Sequence, residues 1–136
     1  LYDGKSLYLK KRKPKLVEAS EGLQAIFEVK KEGYYYHIMY DKYRDVYYRF
    51  VDHPCEQAVE DMYSRTPRSR DFSVIIFNKD VRIIGETKFL GNKYDNRMSF
   101  VGRDGLYISE NNLANPEFDE DKLVFACFKL EDMKNE

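Results

Sequence analysis

The residues FSVIIFNKDVRIIGETKF (72–89) carry the strongest indication of the fold in this sequence. Its first six residues are apolar except for Ser73, and they are rich in the β-branched and aromatic types that favour strands. Residues 78–80 supply a polar turn, and residues 81–89 return as a second strand in which Gly85 marks a bulge or a close backbone approach. Because a sheet with one wet face alternates apolar and polar residues, this continuous run predicts a strand covered on both faces.

The same pattern of strand, turn and strand occurs on both sides of this hairpin. Each further apolar run ends at a polar or glycine-containing turn, as strands do. Together the runs predict four strands in a first unit and three in a second: 35–40, 46–51, 72–77 and 81–89, then 98–101, 106–109 and 123–130.

The two units also match in sequence if Gly105 is treated as an insertion. Arg44, Asp45, Val46 and Tyr47 then correspond to Arg103, Asp104, Leu106 and Tyr107. A recurring four-stranded antiparallel unit is the blade of a β-propeller, and such rings commonly close with a strand borrowed from the start of the chain. The sequence therefore predicts an all-β chain of roughly two propeller blades, a C-terminal fragment whose last blade has three strands. The alternative is a small β-sandwich, because two repeats are few for a repeat protein.

A short helix is predicted upstream of these strands, near residues 21–32. Ser20 is a suitable N-cap, apolar residues follow at spacings of three and four, and Gly33 comes just after the end. The same residues would also suit a strand.

Length and composition fit a single domain of 136 residues with 43% apolar content. The net charge of −1 gives no field to attract nucleic acid. No apolar run reaches the roughly 18 residues that a membrane-spanning helix needs, so no transmembrane segment is predicted. Cys55 and Cys127 are too few for a disulfide framework, and Cys127 lies in an apolar run that predicts a buried thiol.

Catalytic motifs are absent from the sequence. His37 and His53 have no partner at zinc-ligand spacing, and no serine lies in a GxSxG context. We therefore predict no catalytic residue and no cofactor. The acidic residues 110–121 offer oxygen ligands for calcium, with Asp119 and Asp121 as candidates, although their spacing is not that of an EF-hand. The alternative is a solvated loop.

Aromatic and arginine side chains surround the first hairpin and are the ligand-binding candidates: Tyr40, Tyr43, Arg44, Tyr47, Tyr48 and Arg49. Tyrosine rings with a polar tip suit sugars and peptides, and guanidinium groups suit carboxylates. The alternative is that the rings fill the space between blades while arginines cover them. Because Tyr47 and Tyr48 point to opposite faces of one strand, at least one of them must pack in the interior.

Three segments carry a resemblance to a known family: YDKYRDVYYRFVDHP at 40–54, FSVIIFNKDVRIIGET at 72–87 and GLYISENNLANPEFDEDKLVFACFKLE at 105–131. They resemble Bacteroides proteins of unknown function that look like TolB-like six-bladed β-propellers, usually exported as lipoproteins. The NNxxNPxFDED pattern at 111–121 is the most specific part. The resemblance implies that residues 1–136 are the C-terminal part of a single propeller domain in the periplasm or on the outer-membrane surface, and it supplies no catalytic residues.

Two functions are compatible with these observations. The first is a non-enzymatic binding or scaffold module that engages a glycan, a peptide or a protein. The alternative is part of a propeller hydrolase or lyase whose active site lies mostly in other blades. Fewer than two complete blades would leave sheet faces and a strand edge open, which predicts self-association or pairing with further blades.

Overall fold

Two antiparallel β-sheets make up the described part of the chain. The computed structural model describes residues 6–8, 33–54 and 70–131. These ranges contain no helix, which confirms the all-β prediction, and the helix expected near residues 21–32 lies outside them. The strands are β1 (Tyr34–Asp41), β2 (Val46–Asp52), β3 (Phe72–Asn78), β4 (Ile83–Phe89), β5 (Asp95–Val101), β6 (Leu106–Ser109) and β7 (Phe125–Phe128).

Each strand pairs with the next one along the chain. Sheet one has the order β1-β2-β3-β4 and sheet two has the order β5-β6-β7. This is the predicted division into a blade-like unit of four strands and one of three. In addition, β1 contacts β5, so the first strands of the two sheets lie next to each other.

The central strand of sheet one, β3, is covered on both faces. Val74 and Ile75 point to opposite faces, yet both are buried. Burying one such aliphatic side chain contributes roughly 1.5–3 kcal/mol. The prediction made from the continuous apolar run is therefore confirmed.

Two strands are shorter than the apolar pattern predicted. Strand β4 begins at Ile83 because Val81 has a φ of 63° and completes the turn, where its N–H donates to the carbonyl of Asn78 (3.0 Å). A β-branched residue rarely adopts this backbone conformation, so it could not be predicted from the residue type. Strand β7 is confined to Phe125–Phe128, and the two apolar residues before it are exposed.

The hydrophobic core lies between the two sheets. Phe89 links them, since its ring lies 5.1 Å from that of Phe72 in sheet one and 4.9 Å from that of Phe128 in sheet two. Aromatic pairs at such separations contribute about 0.5–1.5 kcal/mol beyond the area they bury. The buried residues of this core come from both sheets. Sheet one contributes Val46, Tyr48, Phe50, Phe72, Val74 and Phe89, and sheet two contributes Leu106 and Ile108.

Backbone hydrogen bonds define the two faces of sheet one. Successive residues of an antiparallel strand direct their backbone groups alternately to either neighbour, and their side chains alternate between faces in step. The N–H of His53 donates to the carbonyl of Asp71 (3.0 Å). The backbone N–H and C=O groups of the odd-numbered residues of β2 therefore point to β3. The face that carries these odd-numbered residues is called the outer face below. The other face, with Tyr48 and Phe50, packs on sheet two.

The direction of the backbone hydrogen bonds also shows which face of sheet two packs against sheet one. The N–H of Glu110 donates to the carbonyl of Val124 (2.8 Å), so Leu106 and Ile108 bond to β7. In the hydrogen-bond pattern, Leu106 and Ile108 thus occupy the positions that outer-face residues occupy in sheet one. Their side chains nevertheless pack in the core against sheet one. The two sheets therefore stack head to tail, as consecutive propeller blades do and as two layers related by a two-fold axis do not.

The alignment of the two repeats needs one correction. Gly102 and Gly105 exchange two backbone hydrogen bonds (2.9 and 3.4 Å) and close the turn of sheet two. The pair that closes the turn of sheet one is Asp41 with Val46. Val46 therefore corresponds to Gly105 and no glycine is inserted. The predicted match of Val46 with Leu106 is wrong by one residue, and a shift of one residue exchanges the two faces of a strand.

Candidate functional site

The turn between β1 and β2 is organised around the carboxylate of Asp41. Oδ1 accepts the backbone N–H groups of Tyr43 (3.0 Å) and Arg44 (3.1 Å), an arrangement for which aspartate is favoured at the start of a turn. Oδ2 accepts the hydroxyl of Tyr48 (2.7 Å) and the Nε–H of Arg44 (2.5 Å). Asp41 is 0% exposed, so these four bonds replace all of its contact with water.

Arg44 extends this arrangement to sheet two. Its Nη2 donates to the carbonyl of Gly102 (2.7 Å) and its Nη1 donates to the carbonyl of Arg103 (2.9 Å). Both carbonyls belong to the turn between β5 and β6. The planar guanidinium thus connects a buried carboxylate in one sheet to the turn of the next, and we call this arrangement the Asp41–Arg44 bridge.

Opposing effects set the protonation of the bridge. Burial raises the pKa of Asp41, but hydrogen bonds from Tyr48 and Arg44 outweigh it and hold the pKa below its ordinary value. Burial, together with the charge and hydrogen bond of Asp41, raises the pKa of Tyr48 to about 12. At neutral pH Asp41 is therefore an acceptor and Tyr48 a donor, as their geometry requires.

Three of the ligand-binding candidates lie at or beneath this turn. Tyr43 is 47% exposed at the tip of the turn, with Lys42 Nζ 5.2 Å and Arg44 Cζ 5.9 Å from the centre of its ring. Arg44 is engaged in the bridge. Tyr48 lies in the core, which satisfies the expectation that at least one of the paired tyrosines packs in the interior.

The other three candidates lie on the outer face of sheet one. Tyr40 pairs with Tyr47 across the strands, and their ring centres are 5.0 Å apart. The hydroxyl of Tyr40 donates to Asp45 (2.9 Å). The guanidinium of Arg49 lies 4.2 Å from the centre of the Tyr35 ring. The structure thus separates the six candidates into a turn, a core and a sheet face, and their ligand binding stays a prediction.

Three asparagines hold the 110–124 loop, a role that the sequence reasoning missed. Asn111 accepts the N–H of Val124 (2.7 Å) and donates to the carbonyl of Lys122 (2.5 Å), which joins the two ends of the loop. The amide of Asn115 donates to the carbonyl of Glu110 (3.1 Å). Asparagine side chains imitate backbone groups in turns, so the spacing NNxxN was the available signal.

Asn112 ties this loop to the connection between β4 and β5. It is buried, and its Nδ2 donates to the carbonyls of Gly91 (2.6 Å) and Tyr94 (2.9 Å). Its Oδ1 accepts the N–H of Ala114 (2.9 Å). A β-carbon on Gly91 would overlap the backbone of Arg70, so this junction also requires glycine. The specific pattern at 111–121 is therefore explained by packing and hydrogen bonding.

The calcium candidates lie in the same loop. Asp119 Oδ1 accepts the N–H of Asp121 (3.0 Å), and its Oδ2 lies 3.1 Å from Lys122 Nζ. Among the residues that the structure describes, no three His, Cys, Asp or Glu side chains converge in a way that could hold a metal. Calcium binding at Asp119 and Asp121 stays a prediction.

An apolar cleft of about 120 Å³ opens between the two sheets on the side of β4 and β7. Its walls include Ile76 and Thr87 from sheet one and Phe128 and Leu130 from the end of sheet two. Sheet one continues to a fourth strand here, whereas sheet two ends at β7 in the described residues.

Cys127 in β7 is exposed, so the prediction of a buried thiol is wrong. Its side chain lies on the face of sheet two that points away from sheet one.

His53 lies just after β2, close to the charged side chains of Lys88, Asp71 and Glu86. It is buried, its ring stacks on Tyr8 at 4.6 Å, and its Nε2 has no hydrogen-bond partner. Burial, followed by the charge of Lys88, lowers the pKa of His53 below its ordinary value. The neutral imidazole is therefore the form that fits the fold.

Stability is expected to fall as the pH drops below about 6.5, the ordinary pKa of histidine. The unfolded chain takes up a proton on His53 before the folded chain does. The stability linked to neutral His53 is thus complete above that pH and is lost as the pH falls through the lowered pKa. Urea unfolding at a series of pH values measures this effect. In this pH range the free energy of unfolding should depend less on pH for His53→Gln than for the wild type. An unchanged pH dependence of the unfolding free energy in His53→Gln would refute the assignment.

This chain shares its fold with a protein of known structure. The model of a domain of unknown function, DUF4221, matches residues 1–88. A crystal structure of a DUF4221 family member from Bacteroides vulgatus superposes with a TM-score of 0.83 at 58% identity, over 94% of this chain and 35% of that one. The chain thus spans about a third of the length of that relative. No curated protein matches it. Within the described ranges, no helix has the length and hydropathy needed to cross a bilayer. The family model and the similar structure together establish that this chain belongs to the DUF4221 family.

Proposed function

We propose that this chain is the C-terminal part of a single TolB-like six-bladed β-propeller domain, carried by a lipoprotein exported to the periplasm or the outer-membrane surface. Head-to-tail stacking supports this, because it can continue around a ring. The length of the solved relative also supports it. Two of six blades are one third of a ring, and the chain covers 35% of that relative.

The function that we propose is non-enzymatic binding of a glycan, a peptide or a protein. The observation that carries this proposal is the exposed ring of Tyr43 on a turn that the Asp41–Arg44 bridge holds in place. An aromatic ring on a rigid turn can bind a ligand without paying to become ordered. Lys42 and the exposed Arg103 of the neighbouring turn add positive charge, which suits a ligand with a carboxylate.

Tyr43→Ala is expected to weaken ligand binding by roughly five- to thirtyfold, because a stacked aromatic contact is worth about 1–2 kcal/mol. A panel of neutral and acidic oligosaccharides and acidic peptides, measured by calorimetry, supplies the test. Tyr43→Phe keeps the ring and should retain most of the affinity. Equal affinity for the wild type and Tyr43→Ala would remove this turn from the binding site.

A further inference from the structure

Four exposed aliphatic side chains lie at the end of the sheets opposite the turn between β1 and β2. Leu90 and Leu113 are each 57% exposed, Leu123 is 67% exposed and Val124 is 42% exposed. The first of them follows β4, and the other three belong to the 110–124 loop between β6 and β7. Because large apolar side chains that are exposed together mark a surface for a partner, we call these four residues the loop-end patch.

One hydrogen bond brings Leu90 and Leu113 together. The Nδ2 of Asn112 donates to the carbonyl of Gly91 (2.6 Å). Leu90 precedes Gly91 and Leu113 follows Asn112, so the two leucines flank this bond. The bonded residues are buried and the leucines are exposed, so the leucines lie at the surface of a fixed junction.

A second asparagine holds Leu123 and Val124 in the same loop. Asn111 donates to the carbonyl of Lys122 (2.5 Å) and accepts the N–H of Val124 (2.7 Å). Its side chain therefore spans the backbone around Leu123. Because Asn111 is adjacent to Asn112 in the chain, both halves of the loop-end patch belong to one hydrogen-bonded framework. A partner would thus meet a surface that is already ordered.

The loop-end patch has an acidic rim. Residues 110–124 contain five acidic side chains and one basic side chain. Lys122 Nζ lies 3.1 Å from Asp119, and Lys93 Nζ, from the connection between β4 and β5, lies 3.5 Å from Glu110. A negatively charged surface attracts basic groups and repels both a second copy of itself and an anionic membrane. The other acidic side chains of the loop are exposed: Glu117, Glu120 and Asp121.

We propose that the loop-end patch is a docking surface for a protein segment that presents an apolar side chain beside lysine or arginine residues. The apolar side chain packs on the leucines, and its basic neighbours face the acidic rim. Attachment of the loop explains the asparagines of the 111–121 pattern, but it requires neither an exposed leucine nor exposed carboxylates. The patch lies at the other end of the sheets from Tyr43 and is separate from the proposed ligand-binding turn.

A synthetic amphipathic peptide of leucine and lysine is the probe, and a leucine–glutamate peptide with the same apolar pattern is its counterpart. By fluorescence anisotropy, the 136-residue chain should bind the lysine peptide at least about tenfold more tightly than the glutamate peptide. Leu113→Gln should weaken binding of the lysine peptide about tenfold or more, because the burial of a leucine side chain is lost.

Val81→Gln is the matched control for this substitution. Val81 has a similar exposure (61%) but lies in the turn between β3 and β4, at the opposite end of the sheets. Its replacement should leave the affinity for the lysine peptide unchanged. Equal affinity of the wild type for the two peptides would overturn the proposal, and so would equal losses of affinity in Leu113→Gln and Val81→Gln.

Charge variants test the acidic rim separately. Asp121→Asn should weaken binding of the lysine peptide about threefold, the size expected for one exposed ion pair. Asp80→Asn, at an exposed aspartate beside Val81, should leave the affinity unchanged. Equal affinities in the two variants would contradict a basic partner.

Two further measurements distinguish other occupants of the loop-end patch. Vesicles of phosphatidylcholine and phosphatidylglycerol should not bind the chain, and vesicle binding that Leu113→Gln abolishes would overturn the proposal in favour of a membrane. A dimer in sedimentation velocity that Leu113→Gln dissociates would overturn it in favour of a second copy. Tyr43→Ala should leave peptide binding unchanged, so failure of the proposed ligand site and failure of this docking would remain distinguishable.

Discussion

Asp41→Ala is expected to destabilise the chain by about 3 kcal/mol or more, because removing one partner of a buried ion pair leaves the other uncompensated. The change deprives the Tyr48 hydroxyl, the Arg44 guanidinium and two backbone N–H groups of their acceptor. An unmade hydrogen bond to a buried polar group costs about 1–3 kcal/mol. The loss should also free Arg44 from the carbonyls of the neighbouring turn, so that contact between the sheets weakens with the turn itself.

Urea unfolding followed by circular dichroism measures this effect. The matched control is Asp104→Ala, in the corresponding turn of sheet two, where the aspartate is exposed. Exposed substitutions of this kind usually stay within about 0.5 kcal/mol of the wild type. If Asp41→Ala proved as mild as Asp104→Ala, the Asp41–Arg44 bridge would not be organising the turn.

Asn112→Asp is expected to cost about 2–4 kcal/mol, although it changes only one atom of the side chain. The amide of Asn112 donates to two carbonyls, those of Gly91 and Tyr94, from a buried position. A carboxylate cannot donate there, and its charge would face two carbonyl oxygens. The loop should therefore detach from the connection between β4 and β5.

The same replacement at Asn92 provides the control, because Asn92 is exposed one residue after Gly91. Hydrogen exchange by mass spectrometry should show faster exchange in residues 110–124 for Asn112→Asp than for Asn92→Asp. Identical exchange and identical unfolding midpoints would mean that the specific pattern at 111–121 has a purpose other than attachment of the loop.

Much of the strand pattern could be predicted because β3 carries its signal in residue type alone. A run such as residues 72–77 has few alternatives to a strand, and its double-sided burial follows from its lack of polar positions. Strand ends were harder to predict. Val81 belongs to the turn despite its β-branched side chain, since the closure of the hairpin overrides local propensity there.

The relation between the faces could not be predicted from the sequence. Period-two alternation is the same for both faces of a strand, so Val46 could be aligned with Leu106 or with Gly105 equally well on sequence. Only the backbone hydrogen bonds distinguish the two choices. The positions of the candidate site residues in the fold were equally hard to predict. Composition identified six aromatic and arginine residues, but their separation into turn, core and outer face depends on the three-dimensional register.

Nuclear Overhauser effects in the isotopically labelled chain test the head-to-tail stacking of the two sheets most directly. We expect cross-peaks between the rings of Phe89 and Phe128, whose centres lie 4.9 Å apart, and between Tyr48 and Leu106 in the common core. We expect none between Tyr47 and Leu106, because Tyr47 points to the outer face. Cross-peaks from Leu106 to Tyr47 in place of Tyr48 would contradict the stacking.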